Sequence, residues 1–150
     1  MKITKKGEYA MRALVDLALN YKRGLRQIQD IVRDEAIPEK FLEQILVVLK
    51  NAGFIQSKRG IGGGYSLSKP PGEISLGDVI RLVDGPLAPL GCVSTSHTSC
   101  PKEVTCGIRS VMVDVTHAAE EILDRVTLED VCNRTKGMAE RRSGILMYHI

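Results

Sequence analysis

Tryptophan is absent, and two phenylalanines and four tyrosines are all the aromatic rings in 150 residues. A core built from this chain must therefore rest on Leu, Ile, Val and Ala. No apolar run reaches the roughly eighteen residues that suggest a membrane span, so no membrane partner is expected. The opening residues, MKITKKGEYAMRAL, lack an apolar stretch leading to a small-residue cleavage site. That argues against a secretory signal, and the expected setting is the cytoplasm. No internal repeat or long low-complexity tract interrupts the chain. No nucleophile–base pair or cluster of catalytic carboxylates stands out, so an enzyme is not expected.

The charge that is present is uneven. Residues 1–72 hold 13 Lys+Arg against 7 Asp+Glu, and residues 73–150 hold 8 against 11. A basic front half is a footprint for a polyanion. The apolar pattern there follows helical periods. Ala10, Leu14, Leu17 and Ala18 form one stripe, and Ile28, Ile31 and Val32 a second. A third runs through PEKFLEQILVVLKNAG, where Pro38 suits a first turn and Gly53 a stop. Strand-like runs at 54–57 and 65–69 flank Gly60, Gly62, Gly63 and Gly64, as in a hairpin with a loose tip. SLGDVIRLVDG predicts a further helix capped by Ser75. The expectation is a mostly α chain: a winged helix-turn-helix domain over 1–84, a cysteine loop over 85–106, a dimerisation helix and closing helix over 107–133, and a partly disordered tail over 134–150.

The third helix has two faces. Leu42, Ile45, Leu46 and Leu49 face a core, while Lys40, Glu43, Gln44 and Val47 share the opposite side, which ends near Lys50. A buried back and a polar front suit a recognition helix in a major groove. Gln can bond adenine edges and Glu can accept from cytosine, whereas Lys40 and Lys50 suit phosphates. Arg59, beside the glycine-rich tip, suits a narrow minor groove. A nucleotide phosphate loop would need a helix after the glycines, and a strand follows instead.

Cys92, Cys100 and Cys106 fall within fifteen residues rich in Gly, Ser, Thr and Pro. In a reducing compartment such a cluster binds metal or does redox chemistry more readily than it forms a disulfide. Three thiolates in a pliable loop suit an iron–sulfur cluster. Zinc, with His97 completing a Cys3His set, is the alternative. Cys132 stands apart and reads as a buried small apolar residue. The helix after the loop carries Ile108, Val111, Met112, Val115, Ala118, Ala119, Ile122 and Leu123. It lies outside a completed winged-helix core, so a second copy is the natural cover for that stripe.

From TKKGEYAMRALVDLALN through FLEQIL and KNAGFIQSKRGIGGGYSLSK to VTLEDV, with three cysteines ahead of a long helix, the chain resembles the IscR-type winged-helix regulators, which include NsrR-type nitric oxide sensors. The resemblance implies a homodimer with one cluster per subunit. The cluster type stays open, with 2Fe–2S favoured and 4Fe–4S the alternative. A two-fold dimer with two recognition helices predicts a pseudo-palindromic double-stranded operator. The resemblance also implies base contacts at Glu43 and Gln44, minor-groove insertion by Arg59, and backbone positions at Thr4, Lys5 and Tyr9. Two departures stand out. The cysteine gaps are seven and five residues rather than five and five, and Arg109 replaces the histidine that follows the last cysteine.

Arg109 keeps its proton and offers no lone pair. The fourth ligand therefore lies among His97, His117 and Glu8. Glu8 is favoured, because some sensors of the resembled type take an acidic ligand at this position from the partner subunit. The expected function is a DNA-binding regulator whose affinity is set by the cluster. The alternatives are a zinc or thiol regulator, an iron–sulfur electron carrier, and a DNA-free scaffold.

Overall fold

The computed structural model describes residues 1–94 and 99–148. Helix α1 spans Lys5–Leu19, α2 Ile28–Glu35 and α3 Glu39–Asn51. Antiparallel strands β1, Ile55–Lys58, and β2, Gly64–Leu67, follow, with Ile55 opposite Leu67 and Lys58 opposite Gly64. Then come α4, Leu76–Asp84, the short α5, Gly91–Ser94, and two long helices, α6, Gly107–Arg125, and α7, Leu128–Tyr148. Three helices and a hairpin make the expected winged helix-turn-helix, and the molecule is mostly helical.

The predicted stripes form its core. Ala10, Leu14 and Leu17 of α1, Ile31 of α2 and Leu42, Ile45, Leu46 and Leu49 of α3 are all buried together. Fully burying one such Leu or Ile stabilises the fold by about 1.5–3 kcal/mol. The helix ends follow local chemistry. Gln27 and Asp30 form a capping box at the start of α2, Ser75 Oγ accepts the Asp78 N–H at 3.1 Å, and Gly53 past the end of α3 has φ +81°. Ala36, with φ +50°, ends α2, and Ile37 and Pro38 complete the turn into α3.

Two features differ from the sequence reading. The tail expected over 134–150 continues α7 as helix to Tyr148. No proline interrupts this stretch, and Ala139, Glu140, Arg141 and Arg142 are good helix formers. Also, the turn between α6 and α7 returns to the core: the Leu76 N–H bonds Val126 O and the Leu128 N–H bonds Ile74 O, both at 2.9 Å. That places Leu128 and Cys132 in the core against α1. Among the described residues no helix is long and apolar enough to cross a membrane.

Candidate nucleic-acid interface and cysteine site

The outward face of α3 is free. Lys40, Glu43, Gln44 and Lys50 are exposed, and their side chains make no hydrogen bond or ion pair among the described residues. Val47, 58% exposed, shares that face. Between α3 and the wing lies a groove of about 460 Å³, lined among others by Gln29, Val47, Lys50, Lys58 and Arg59. Arg59 is exposed beside Gly60 and Gly62, which take φ of +97° and +75°. Only glycine adopts such backbone readily, so these glycines let the tip turn sharply, with Ile61 between them fully exposed.

The first turn of α1 borders this surface. Thr4 caps the helix, its Oγ1 accepting the Gly7 N–H at 3.1 Å. Lys5 donates to Glu8 at 2.7 Å and its ammonium lies 5.9 Å from the Tyr9 ring centroid. Tyr9 in turn meets Phe41 of α3 edge-to-face at 6.0 Å. The structure thus joins Thr4, Lys5 and Tyr9 to the helix that carries Glu43 and Gln44.

Behind the wing, Arg26 pairs with Tyr65 through two backbone hydrogen bonds of 2.9 and 2.8 Å. Its guanidinium grips the buried Asp16 with two bonds of 2.9 Å and reaches Asp34 at 2.6 Å. These carboxylates raise the Arg26 pKa further above its already high value. A side chain at Gly64 would press on Arg26 O at 2.6 Å, so glycine lets the wing lie against the 25–26 segment. The sequence reading passed over this anchor. In the sequence Gly64 stands with the other glycines of the tip, so nothing sets it apart as a close backbone approach.

Cys92, Cys100 and Cys106 are free thiols: Cys92 lies in α5, Cys100 is exposed, and Cys106 is the N-cap of α6. Arg109 braces the loop. It donates Nε–H to Cys92 O at 3.2 Å and its backbone N–H to Cys106 Sγ at 3.4 Å, and it pairs with Glu103 at 3.7 Å. Arg109 therefore ties the first cysteine's segment to the last one's. Glu8 lies between Lys5, at 2.7 Å, and Arg12, at 3.5 Å. The hydrogen bond from Lys5 holds its carboxyl below the ordinary range, so it is ionised at neutral pH. His117 is exposed on α6. His97 lies outside the described residues. Among the described residues no three His, Cys, Asp or Glu side chains already converge to hold one metal ion. In donor chemistry the three free thiols suit an iron–sulfur cluster or zinc.

On α6, Ile108, Val111, Val115 and Ile122 are 67%, 55%, 45% and 62% exposed. They repeat at steps of three, four and seven along one side of a helix about 28 Å long. The other side packs on α4, where Thr116 is buried and Arg81 bonds Asp124 at 2.6 and 2.9 Å. Of the rest of the predicted stripe, Met112, Ala119 and Leu123 are half-buried and Ala118 is exposed.

The family model described as "Rrf2: Iron-dependent Transcriptional regulator" matches residues 3–134. A Rhodobacter capsulatus protein named an rrf2-like HTH-type transcriptional regulator is 40% identical, covering 86% of this chain and 91% of that one. The HTH-type transcriptional regulator IscR of Pectobacterium atrosepticum is 33% identical over 89% of this chain and 80% of that one. Among solved structures, CymR, titled the global cysteine regulator of B. subtilis, superimposes with a TM-score of 0.76 at 31% identity, covering 89% of this chain and 98% of that one. The T. potens IscR structure gives 0.74 at 32% identity, covering 90% and 88%.

Proposed function

Because the chain belongs to the Rrf2 family of transcriptional regulators, it is a DNA-binding regulator, and we propose that its DNA affinity is set by an iron–sulfur cluster held on Cys92, Cys100 and Cys106. The observation that carries this reading is the loop itself. Three unpaired thiols sit on a short segment whose two ends are braced by Arg109 and whose last cysteine opens α6. Similarity to two IscR proteins supports the same choice. Such a cluster supplies iron that responds to oxidants and nitric oxide. The 2Fe–2S form is favoured, with 4Fe–4S as the other form. The relatives are named regulators rather than enzymes, and a reducing cytoplasm goes with the reading.

The partners are a second copy of the chain and a pseudo-palindromic duplex. Ile108, Val111, Val115 and Ile122 of α6 would meet their counterparts across a two-fold axis. Each recognition helix would then present Glu43 and Gln44 to base edges, with Lys40 and Lys50 on phosphates and Arg59 in the minor groove. Thr4, Lys5 and Tyr9 would follow the sugar–phosphate backbone. Glu8 of the opposite subunit is the proposed fourth ligand, since its carboxylate is half-exposed and already ionised. A carboxylate holds iron less firmly than thiolate, so its bond would yield first. Its loss would free one subunit's DNA-binding domain from the other's loop.

The similarity to CymR favours a second reading, a thiol or zinc regulator that carries no cluster. Strictly anaerobic isolation with a visible spectrum and assays of iron, sulfide and zinc separates the two. A coloured protein with iron and sulfide, whose colour is lost in each of Cys92→Ala, Cys100→Ala and Cys106→Ala but kept in Cys132→Ala, supports the cluster. A colourless protein with stoichiometric zinc, or with no metal, overturns it.

A further inference from the structure

Asp84 is the last residue of α4 and the last before the cysteine loop. Its carboxylate accepts the Thr4 N–H at 2.9 Å and the Thr4 hydroxyl at 2.5 Å. Using the hydroxyl proton in this way turns a Thr4 lone pair towards the Gly7 N–H, the bond that caps α1. Gly7 is buried, and a methyl group there would strike the Asp84 carboxylate. The glycine is therefore the seat for Asp84. A second glycine repeats the device: a methyl group at Gly77 of α4 would strike Asp124, which Arg81 holds in a two-bond fork. Helix α4 is thus pinned at one end to the first turn of α1 and along its side to α6, and its chain runs on through Gly85 to Cys92.

We propose that Asp84 is a positioning residue for DNA binding: it holds the first turn of α1, with Lys5 and Tyr9, in the pose that meets the DNA backbone, and through it the 85–106 loop acts on that turn. The inference rests on the reading that this turn meets DNA, and it is independent of what the cysteines bind. The sign of the effect separates it from simple electrostatics. A carboxylate beside a polyanion repels it, so deleting one that does nothing else tightens binding. Deleting one that positions Lys5 weakens binding and removes a phosphate contact.

The test uses the full chain, reduced and metal-free, with a fluorescent duplex that the parent protein selects from a random pool. Asp84→Asn keeps the side-chain shape and one acceptor, and its melting temperature checks that it folds. We expect weaker binding and a fall of about 1 per subunit in the steepness of log affinity against log salt, as for a lost phosphate contact. Lys5→Ala should show the same loss, and the double variant little more. Tighter binding or an unchanged salt slope in Asp84→Asn overturns the positioning role. If Asp84→Asn weakens binding while Lys5→Ala does not, Asp84 acts elsewhere and the contact reading of α1 fails separately. For the relay, the loop thiols are capped with iodoacetamide. Affinity should shift in the parent and shift by no more than half as much in Asp84→Asn. An equal shift in both, or none in the parent, overturns the relay.

Discussion

Asp16, buried in α1, and Arg26, in the segment that pairs with the wing, are joined by two hydrogen bonds of 2.9 Å. The guanidinium fork matches the carboxylate plane, so the pair fixes direction as well as distance. Its backbone bonds to Tyr65 carry that fixed direction into β2. Removing one member of a buried pair strands the other charge, at about 3–5 kcal/mol. Arg26→Ala is therefore expected to lose roughly that much stability in a urea melt and to raise hydrogen exchange in the hairpin. A loss below about 1 kcal/mol would show that Asp16 finds water or another partner.

Arg59 and Gln44 should fail in different ways. Arg59→Ala is expected to weaken binding most on duplexes with an A/T-rich, narrow minor groove. Gln44→Ala should instead relax base choice at one position per half-site, by about 1–3 kcal/mol for a lost bidentate contact. Affinities across a duplex panel measure both. If Arg59→Ala binds every duplex as the parent does, the wing does not enter the groove.

The exposed stripe of α6 makes a prediction about mass. Val115 lies mid-stripe and is 45% exposed in the single chain. In a dimer Val115→Asp would bury an unpaired carboxylate, so it should give monomers or insoluble protein. Light scattering after size exclusion is the measurement, and an unchanged dimer mass places the interface elsewhere.

The α4–α6 tie should be acid-sensitive. The hydrogen bond from Arg81 holds the Asp124 carboxyl below its ordinary range. A depressed folded pKa means that the group contributes stability above its unfolded pKa, about 3.9 for Asp. That contribution disappears as pH falls through the lower folded value. Asp124→Asn should therefore melt below the parent near neutrality, and the gap should close in acid. Asp124 is solvent-accessible, so the gap will be small. A gap that stays constant down to pH 2 would count against the ion pair.

What could be read from the sequence was periodic or local. The 3.6-residue repeat separates Leu42, Ile45, Leu46 and Leu49 from Glu43 and Gln44, and the structure buries the first set and exposes the second. Ser75 was legible as a cap because a cap needs only its own next three residues. The contacts that escaped join residues far apart in the chain. Thr4 and Asp84, or Arg81 and Asp124, leave no repeat that a reader could follow. Their trace is indirect: Gly7 and Gly77 are glycines within helices, where only a close neighbour repays the lost helix propensity. The length of α7 was hidden because Gly137, Gly144 and a run of charges blur its apolar side.

Cys132 has a use that its place in the core confers. It is 5% exposed, and burial pushes its thiol up, so little of it is in the nucleophilic form. The three loop thiols are partly or fully exposed. A chromogenic thiol reagent added to the metal-free protein should therefore count three sulfurs quickly and the fourth slowly. The slow count reports how often the start of α7 lifts off α1. The chain thus carries an internal clock for its own opening, read in the same cuvette as the state of its loop.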